Sequence, residues 1–197
     1  IIHELSIDGG EIPEIVLYES FNPDSSIPWL TSASVVGGSP AQVNDAQWTL
    51  ADGTGYYNGW QSNDNSTFAV VDSNYIGPYA MESSLTSPPF SLADYEAPIN
   101  LTFYHYYRQY TVQRGRVQIS TDLGDSWFNL QTYSTTQGVN NNLQLATINL
   151  NAYAGKPVVM LRFNYTANWD WYWALDNVTV TGTPKATTVS WTPRTDL

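Results

Sequence analysis

Short runs of alternating apolar and polar residues fill the chain, and Gly, Pro, Asn and Asp separate them. A period of two residues places successive side chains on opposite faces of a β-strand, and almost no stretch shows the longer period of a helix. The clearest run covers residues 100–110. It places Leu101, Phe103, His105 and Tyr107 on one face, and Thr102, Tyr104, Tyr106, Arg108 and Tyr110 on the other. The pattern predicts an all-β sandwich or barrel.

The same reasoning predicts further strands at residues 15–21, 46–50, 67–71, 85–87, 116–120, 127–132, 146–150, 158–165 and 171–181. In the segment 158–165, the side chains expected in the core are Val159, Leu161, Phe163 and Tyr165. Residues 1–14 are predicted to be a leader or linker, and residues 15–182 the folded domain. Residues 183–197 are rich in Thr and Pro, which predicts a linker or the start of a following domain.

Composition narrows the class of protein. The chain carries a net charge of −11, which repels phosphate backbones and disfavours a nucleic-acid partner. It contains no Cys, which excludes disulfides, thiolate zinc sites and a cysteine nucleophile. No apolar run approaches the ~20 residues that span a membrane, so direct membrane insertion is not expected. These features favour a bacterial exported domain.

One local motif is complete. Ser120, Asp122, Gly124, Ser126 and Trp127 match the Asp-box pattern S-x-D-x-G-x-[ST]-W. An Asp carboxylate accepts hydrogen bonds from turn amides, and Gly adopts the unusual backbone angles of such a turn. The motif therefore predicts a hairpin turn, with Trp127 covering it, and not a ligand site.

Two carboxylates lie among apolar strand residues near the two ends of the predicted domain. Glu19 stands two residues after Leu17, and Asp176 stands two residues after Ala174. A buried charge must be solvated, paired or bound to metal, because leaving it alone is too costly. First and last strands are often neighbours in a sandwich, so a Ca²⁺ ion shared by both residues is one hypothesis. The residues that could complete its oxygen shell are Asp72, Asn74 and Glu82. Ordinary hydrogen bonding to loop amides is the alternative.

An aromatic row offers a candidate ligand surface. Tyr104, Tyr106, Arg108 and Tyr110 alternate along one strand face, and Trp169 and Trp171 follow later in the chain. Tyr and Trp combine flat apolar area with a polar edge, which suits stacking on sugar rings or on a peptide. The alternative is that a second layer or a long loop covers this face.

Catalytic signatures are absent from the sequence. His3 and His105 make no zinc motif, and no nucleophile elbow, H-E-x-x-H sequence or P-loop occurs. No carboxylate pair stands at a spacing that argues for glycoside hydrolysis. A hydrolase on a sandwich fold would require two carboxylates ~5–9 Å apart in an open cleft.

Several segments in a fixed order resemble the choice-of-anchor J or cleaved-adhesin domain, a bacterial relative of MAM domains. They are residues 19–21, 27–29, 68–74, 85–92, 101–107, 117–122, 153–155 and 173–178. The resemblance covers residues 15–182 and implies a jelly-roll β-sandwich of two antiparallel sheets. It also implies structural calcium, with the family's acidic positions falling on Glu19, Asp72 and Asp176, and a further acidic position on Glu82.

Taken together, these observations predict a non-catalytic, calcium-stabilised accessory domain of a larger secreted or cell-surface bacterial protein, used for adhesion or binding. Expected partners are a glycan or a surface protein or peptide, together with other domains of the same polypeptide. The alternatives are a carbohydrate-binding module that uses the aromatic face and a glycoside hydrolase.

Overall fold

The computed structural model describes residues 12–24, 28–52 and 61–186. Strands dominate these residues, and none of the helices among them is long and apolar enough to cross a membrane. The elements are β1 (Glu14–Glu19), β2 (Leu30–Val35), α1 (Pro40–Asp45), β3 (Thr49–Ala51), β4 (Phe68–Asp72), α2 (Ser73–Ile76), β5 (Ala80–Thr86), β6 (Tyr95–Tyr107), β7 (Arg114–Ser120), β8 (Phe128–Tyr133), β9 (Gln144–Asn149), a 3-10 turn (Asn151–Tyr153), β10 (Met160–Asn168) and β11 (Tyr172–Pro184).

The strands form two antiparallel sheets. The first sheet has the order β3-β4-β11-β6-β9, and β1 also pairs with β11. The second sheet has the order β2-β5-β10-β7-β8. The two sheets pack into a jelly-roll-like β-sandwich, which confirms the predicted fold class. The first and last strands, β1 and β11, are neighbours as expected.

The core lies between the two sheets, and strand alternation predicted its main side chains correctly. Leu101, Phe103, His105 and Tyr107 of β6 have no accessible surface, and neither have Leu161, Phe163 and Tyr165 of β10. Each large apolar side chain buried in this way stabilises the fold by about 1.5–3 kcal/mol. Trp173 of β11 lies at the centre, with its ring 5.8 Å from Phe163 and 5.6 Å from Trp48.

The segment from residue 30 to residue 52 differs from the prediction. Instead of the single strand at 46–50, it contains the edge strand β2, the helix α1 and the short strand β3. β2 has no clear apolar alternation because its side chains are mostly exposed at the sheet edge. α1 begins with a capping box, in which Ser39 and Gln42 satisfy each other's backbone N–H groups.

The predicted strand limits shift elsewhere too. β6 extends from Tyr95 to Tyr107, so Arg108 and Tyr110 lie in the loop that follows it. β11 runs to Pro184, two residues past the predicted end of the domain. The expected leader before residue 12 and the expected linker after residue 186 lie outside the described residues.

His105 is a buried titratable group in the core. Its Nδ1 accepts a hydrogen bond from the Trp173 indole N–H at 3.3 Å, and its Nε2 has no hydrogen-bond partner. The Phe103 and Tyr133 rings pack against it at 5.2 Å and 4.6 Å. Burial lowers the pKa of His105 to about 4.

We expect His105 to make the domain less stable in acid. Its pKa in the folded state is below the value of about 6.5 in an unfolded chain. Its contribution to the free energy of unfolding is therefore complete above pH 6.5 and is lost as the pH falls towards 4. Between pH 7 and pH 5 the wild type should lose about 2 kcal/mol more free energy of unfolding than His105→Leu. Urea unfolding at both pH values measures this difference, and equal losses in the two proteins would contradict it.

Candidate functional site

The candidate metal ligands Glu19 and Asp176 lie on paired strands, near the place where two strands meet end to end along one edge of β11. β4 pairs with the N-terminal part of β11, up to Ala69 opposite Leu175, and β1 pairs with the next part, from Glu19 opposite Val178. Asp176 and Asn177 lie in the gap between these two pairings. We call this place the strand junction.

A β-bulge shapes the strand junction. The pairing of β11 with β6 shifts by one residue between Asp176 and Thr179, and Asn177 has a φ of 51°. Such a bulge inserts one residue and bends the strand, often beside functional sites. Because of this extra residue, Leu175 before the bulge and Val178 after it both face the core.

Two acidic side chains lie close together at the strand junction. Asp176 is completely buried; its Oδ1 accepts the Asn177 N–H at 2.8 Å, whereas its Oδ2 has no hydrogen-bond partner. Asp64 precedes β4, and its Oδ2 accepts the Asn177 side-chain N–H at 2.9 Å. Burial raises the pKa of Asp176 to about 7, and the Asp64 charge acts in the same direction. A cation between these carboxylates would offset the free-energy cost of burying one charged carboxylate close to another.

Glu19 lies at the end of β1, opposite Val178, and lines the cavity that Trp29 and Trp48 also line. Its side chain is buried, and its Oε1 accepts the Phe21 N–H at 2.6 Å. The neighbouring Tyr18 hydroxyl donates to Asn177 Oδ1 at 2.8 Å, which ties β1 to the bulge. In the described part of the chain, no three His, Cys, Asp or Glu side chains gather as a metal cluster. Calcium here would therefore also need hydroxyl, amide or main-chain oxygens, which it accepts readily.

The other three predicted ligands lie elsewhere. Asp72 is opposite Tyr172, four residues from Asp176 along β11, or about 13 Å. Its Oδ1 accepts the backbone N–H of Asn74 at 2.8 Å and caps α2. Glu82 lies on β5 in the second sheet, with its side chain exposed. The five predicted ligands therefore do not gather at one place among the described residues, and their role in binding calcium stays a prediction. Asp64, which the sequence analysis did not name, lies beside Asp176.

The predicted aromatic surface is partly assembled. The Arg108 guanidinium lies 3.8 Å above the centre of the Trp171 ring, and the Tyr110 ring approaches Trp171 edge-on at 6.4 Å. Arg108 also donates to the Tyr172 hydroxyl at 3.5 Å. We call Arg108, Tyr110 and Trp171 the arginine–tryptophan cluster. Tyr110 is 66% exposed, and Trp169, next to the cluster in sequence, is 57% exposed.

A buried aspartate holds the loops of this cluster in place. Asp170 is 2% exposed, and its Oδ1 accepts the Thr111 N–H at 2.8 Å as well as the Thr111 hydroxyl. Its Oδ2 accepts the Asn168 N–H at 3.1 Å, and its own N–H donates to Ser73 Oγ at 3.1 Å. The Asp170 side chain thus links the loop after β6 to the end of β10, and its backbone N–H links the loop before β11 to α2. Nothing in the sequence distinguishes Asp170 from any other loop aspartate.

Tyr106 does not belong to an open ligand surface, which corrects the prediction for this residue. It is 8% exposed and packs edge-on against Tyr172, with ring centres 5.4 Å apart. It is part of a second hydrophobic cluster with Phe68 and Val70, and Tyr104 packs partly buried against the same cluster. Apolar residues therefore cover part of the outer face of the first sheet, and the pattern along β6 alone could not predict this.

The Asp-box has the predicted structural role. The Asp122 carboxylate accepts the Ser126 N–H at 2.9 Å and the Ser120 hydroxyl at 2.7 Å, between β7 and β8. Gly124 has a φ of 96°, and the Trp127 ring lies against it. The motif forms a rigid hairpin turn.

A cavity of about 280 Å³ lies beside the strand junction, with Trp29 and Trp48 in its wall. Among the described residues that line it, Glu19 is the single carboxylate. Glycoside hydrolysis uses two carboxyl groups across one bond. This cavity does not present such a pair.

No family model and no curated protein matches the chain, but solved structures share its fold. One is the K1 cleaved adhesin domain of Lys-gingipain from Porphyromonas gingivalis W83, with a TM-score of 0.55 and 18% identity, covering 85% of this chain and 98% of that one. Another is TmCBM61, solved with β-1,4-galactotriose, with a TM-score of 0.51 and 11% identity, covering 78% of this chain and 87% of that one. At these identities the likeness shows the fold alone.

We expect Asp170→Ala to destabilise the domain by about 2 kcal/mol, because it removes the buried carboxylate that accepts the N–H groups of Thr111 and Asn168. Asp125→Ala is the matched control, since Asp125 is exposed and such surface changes usually stay within about 0.5 kcal/mol. Urea unfolding compares the two. Equal stability of the two variants would show that Asp170 does not hold these loops.

Proposed function

We propose that this chain is a non-catalytic, calcium-stabilised binding domain of a larger secreted or cell-surface protein, and that it binds a glycan. The observation that carries the proposal is the arginine–tryptophan cluster, held on loops that Asp170 fixes. A surface protein or peptide is the alternative partner. The fold shared with a cleaved adhesin domain and with a module solved with a galactotriose agrees with a binding role.

The chemistry of the cluster suits a sugar. The rings of Tyr110 and Trp169 offer exposed flat apolar area for the C–H face of a sugar ring. The Arg108 guanidinium carries several N–H donors, and it lies over the Trp171 ring, which Tyr110 also contacts. Because Asp170 already orders the loops, little conformational entropy remains to be lost on binding.

Calcium would act at the strand junction. Asp176 brings a buried carboxylate oxygen without a hydrogen-bond partner, and Asp64 brings a neighbouring charge. These two residues, completed by hydroxyl, amide or main-chain oxygens, would hold the ion and so link β11 and the segment before β4. The ion would supply structural stability, since its binding free energy adds to that of folding.

We expect calcium to raise the thermal midpoint of the wild type, measured with excess Ca²⁺ and with EDTA. At a hundredfold excess over the dissociation constant the gain in stability is about 2.7 kcal/mol. Asp176→Asn and Asp64→Asn should lose most of this gain, because each removes a carboxylate of the junction. Glu82→Gln, on the other sheet, should keep all of it. A calcium response that survives in Asp176→Asn, or the absence of bound calcium by elemental analysis, would contradict the metal site.

We expect Trp169→Ala and Tyr110→Ala to weaken glycan binding roughly tenfold, or about 1.4 kcal/mol, since each removes exposed stacking area. A glycan array followed by titration calorimetry measures this, with β-1,4-galactotriose as the first probe. Phe128→Ala is the matched control because Phe128 on β8 is 58% exposed, close to Trp169. Equal loss in the control, or no binding of any arrayed glycan, would overturn the proposal.

A further inference from the structure

The outer face of the second sheet is polar and unusually well organised. Alternation along β10 places Leu161 and Phe163 in the core and turns Arg162 and Asn164 outward. The neighbouring strands add outward-facing residues at the same level. We call the following set the arginine face: Glu82, Arg116, Gln118, Arg162, Asn164 and, at the hairpin, Trp127.

Asn164 is the centre of one hydrogen-bonded row. Its side-chain N–H group donates to Glu82 Oε1 at 2.8 Å and to Ser84 Oγ at 3.1 Å, across to β5. Its Oδ1 accepts from Arg116 Nη1 at 3.3 Å, across to β7. Asn164 is 3% exposed although it points away from the core. A polar side chain enclosed in this way fixes the side chains of Glu82 and Arg116 around it.

Arg162 and Gln118 form a second row beside the first. Arg162 Nε donates to Gln118 Oε1 at 2.8 Å, and Gln118 in turn donates to Asn129 Oδ1 at 2.8 Å. The Arg162 guanidinium lies 4.2 Å above the centre of the Trp127 ring. The Asp-box turn fixes the position of the Trp127 ring, and so it also fixes the guanidinium that stacks on this ring.

The charge of this face is opposite to that of the protein. The chain has a net charge of −11, and six Lys and Arg side chains lie in the described residues. Three of the six, Arg114, Arg116 and Arg162, alternate outward on β7 and β10. The guanidiniums of Arg116 and Arg162 donate to neutral oxygens of Asn164, Thr166 and Gln118. Burial lowers the pKa of Arg162, and the nearby Glu82 carboxylate acts in the opposite direction.

We propose that the arginine face binds an acidic oligosaccharide, with a sugar carboxylate between Arg116 and Arg162. The two arginines are diagonal neighbours on adjacent strands, about 7–8 Å apart at the backbone. A guanidinium matches a carboxylate in shape and charge. Glu82 and the amides supply acceptors and donors for hydroxyl groups.

This site is separate from the arginine–tryptophan cluster. The cluster lies where β6 ends and β11 begins, in the first sheet, whereas the arginine face belongs to the second sheet. The net negative charge of the protein disfavours phosphate polymers as ligands, because they would meet repulsion everywhere outside this face. A short acidic sugar chain can be contained within it.

Titration calorimetry with a tetramer of galacturonic acid, against a neutral tetramer of galactose, tests the proposal. The wild type should bind the acidic tetramer and bind the neutral one at least tenfold more weakly. Arg162→Gln and Arg116→Gln should each weaken binding of the acidic tetramer tenfold or more. Arg162→Lys, which keeps the charge but lacks the planar fork, should lose less. Circular dichroism and thermal melting confirm that each variant is folded. If Arg162→Gln does not fold, Arg162→Lys replaces it in the comparison.

Arg108→Gln is the matched control, because it removes the same charge at the arginine–tryptophan cluster. It should leave binding of the acidic tetramer unchanged. Equal weakening by Arg108→Gln would overturn the assignment to this face, as would a wild type that binds no acidic tetramer. Equal binding of the neutral tetramer would overturn the requirement for an acid. Trp169→Ala should not change binding of the acidic tetramer, so failure here and failure of the proposed glycan site can be told apart.

Discussion

Strand β11 bonds to three other strands, and the rest of the molecule depends on that shared ladder. Along one edge it pairs with β6, and along the other it pairs first with β4 and then with β1. Trp173 in this strand anchors the core, and Asp176 marks the point where β4 gives way to β1. Trp171 stands just before the strand begins. The core, the strand junction and the arginine–tryptophan cluster therefore lie at successive positions of one strand.

Close packing around Trp173 constrains the opposite sheet. A Cβ atom on Gly115 of β7 would lie 3.0 Å from the Trp173 ring, so a larger residue there would require the Trp173 and Tyr107 rings to shift. Gly115 stands between Arg114 and Arg116, which point outward. The same strand thus meets the core on one side and supports the basic side chains on the other, so the packing of the core sets the position of the arginine face.

The two sheets expose different chemistry because their outer faces are covered differently. On the first sheet, Phe68, Val70 and Tyr106 are buried in a second hydrophobic cluster, so these side chains offer no binding surface. On the second sheet, side chains such as Asn164 satisfy one another through hydrogen bonds. Apolar packing makes the outer face of the first sheet rigid. Rows of hydrogen bonds make the outer face of the second sheet rigid. Rigid polar groups are what recognition of a hydroxyl-rich ligand requires.

Strand alternation in the sequence was enough to predict the sandwich, the core side chains of β6 and β10, and the turn made by the Asp-box, because these depend on neighbours along the chain. It also suggested that the first and last strands are neighbours. Tertiary structure alone decided that Asp64 lies beside Asp176, that Glu82 bonds to Asn164 in the other sheet, and that Tyr106 is buried. The physical reason is that strand order and the covering of a face arise from contacts between residues far apart in sequence, and a local pattern contains no information about them.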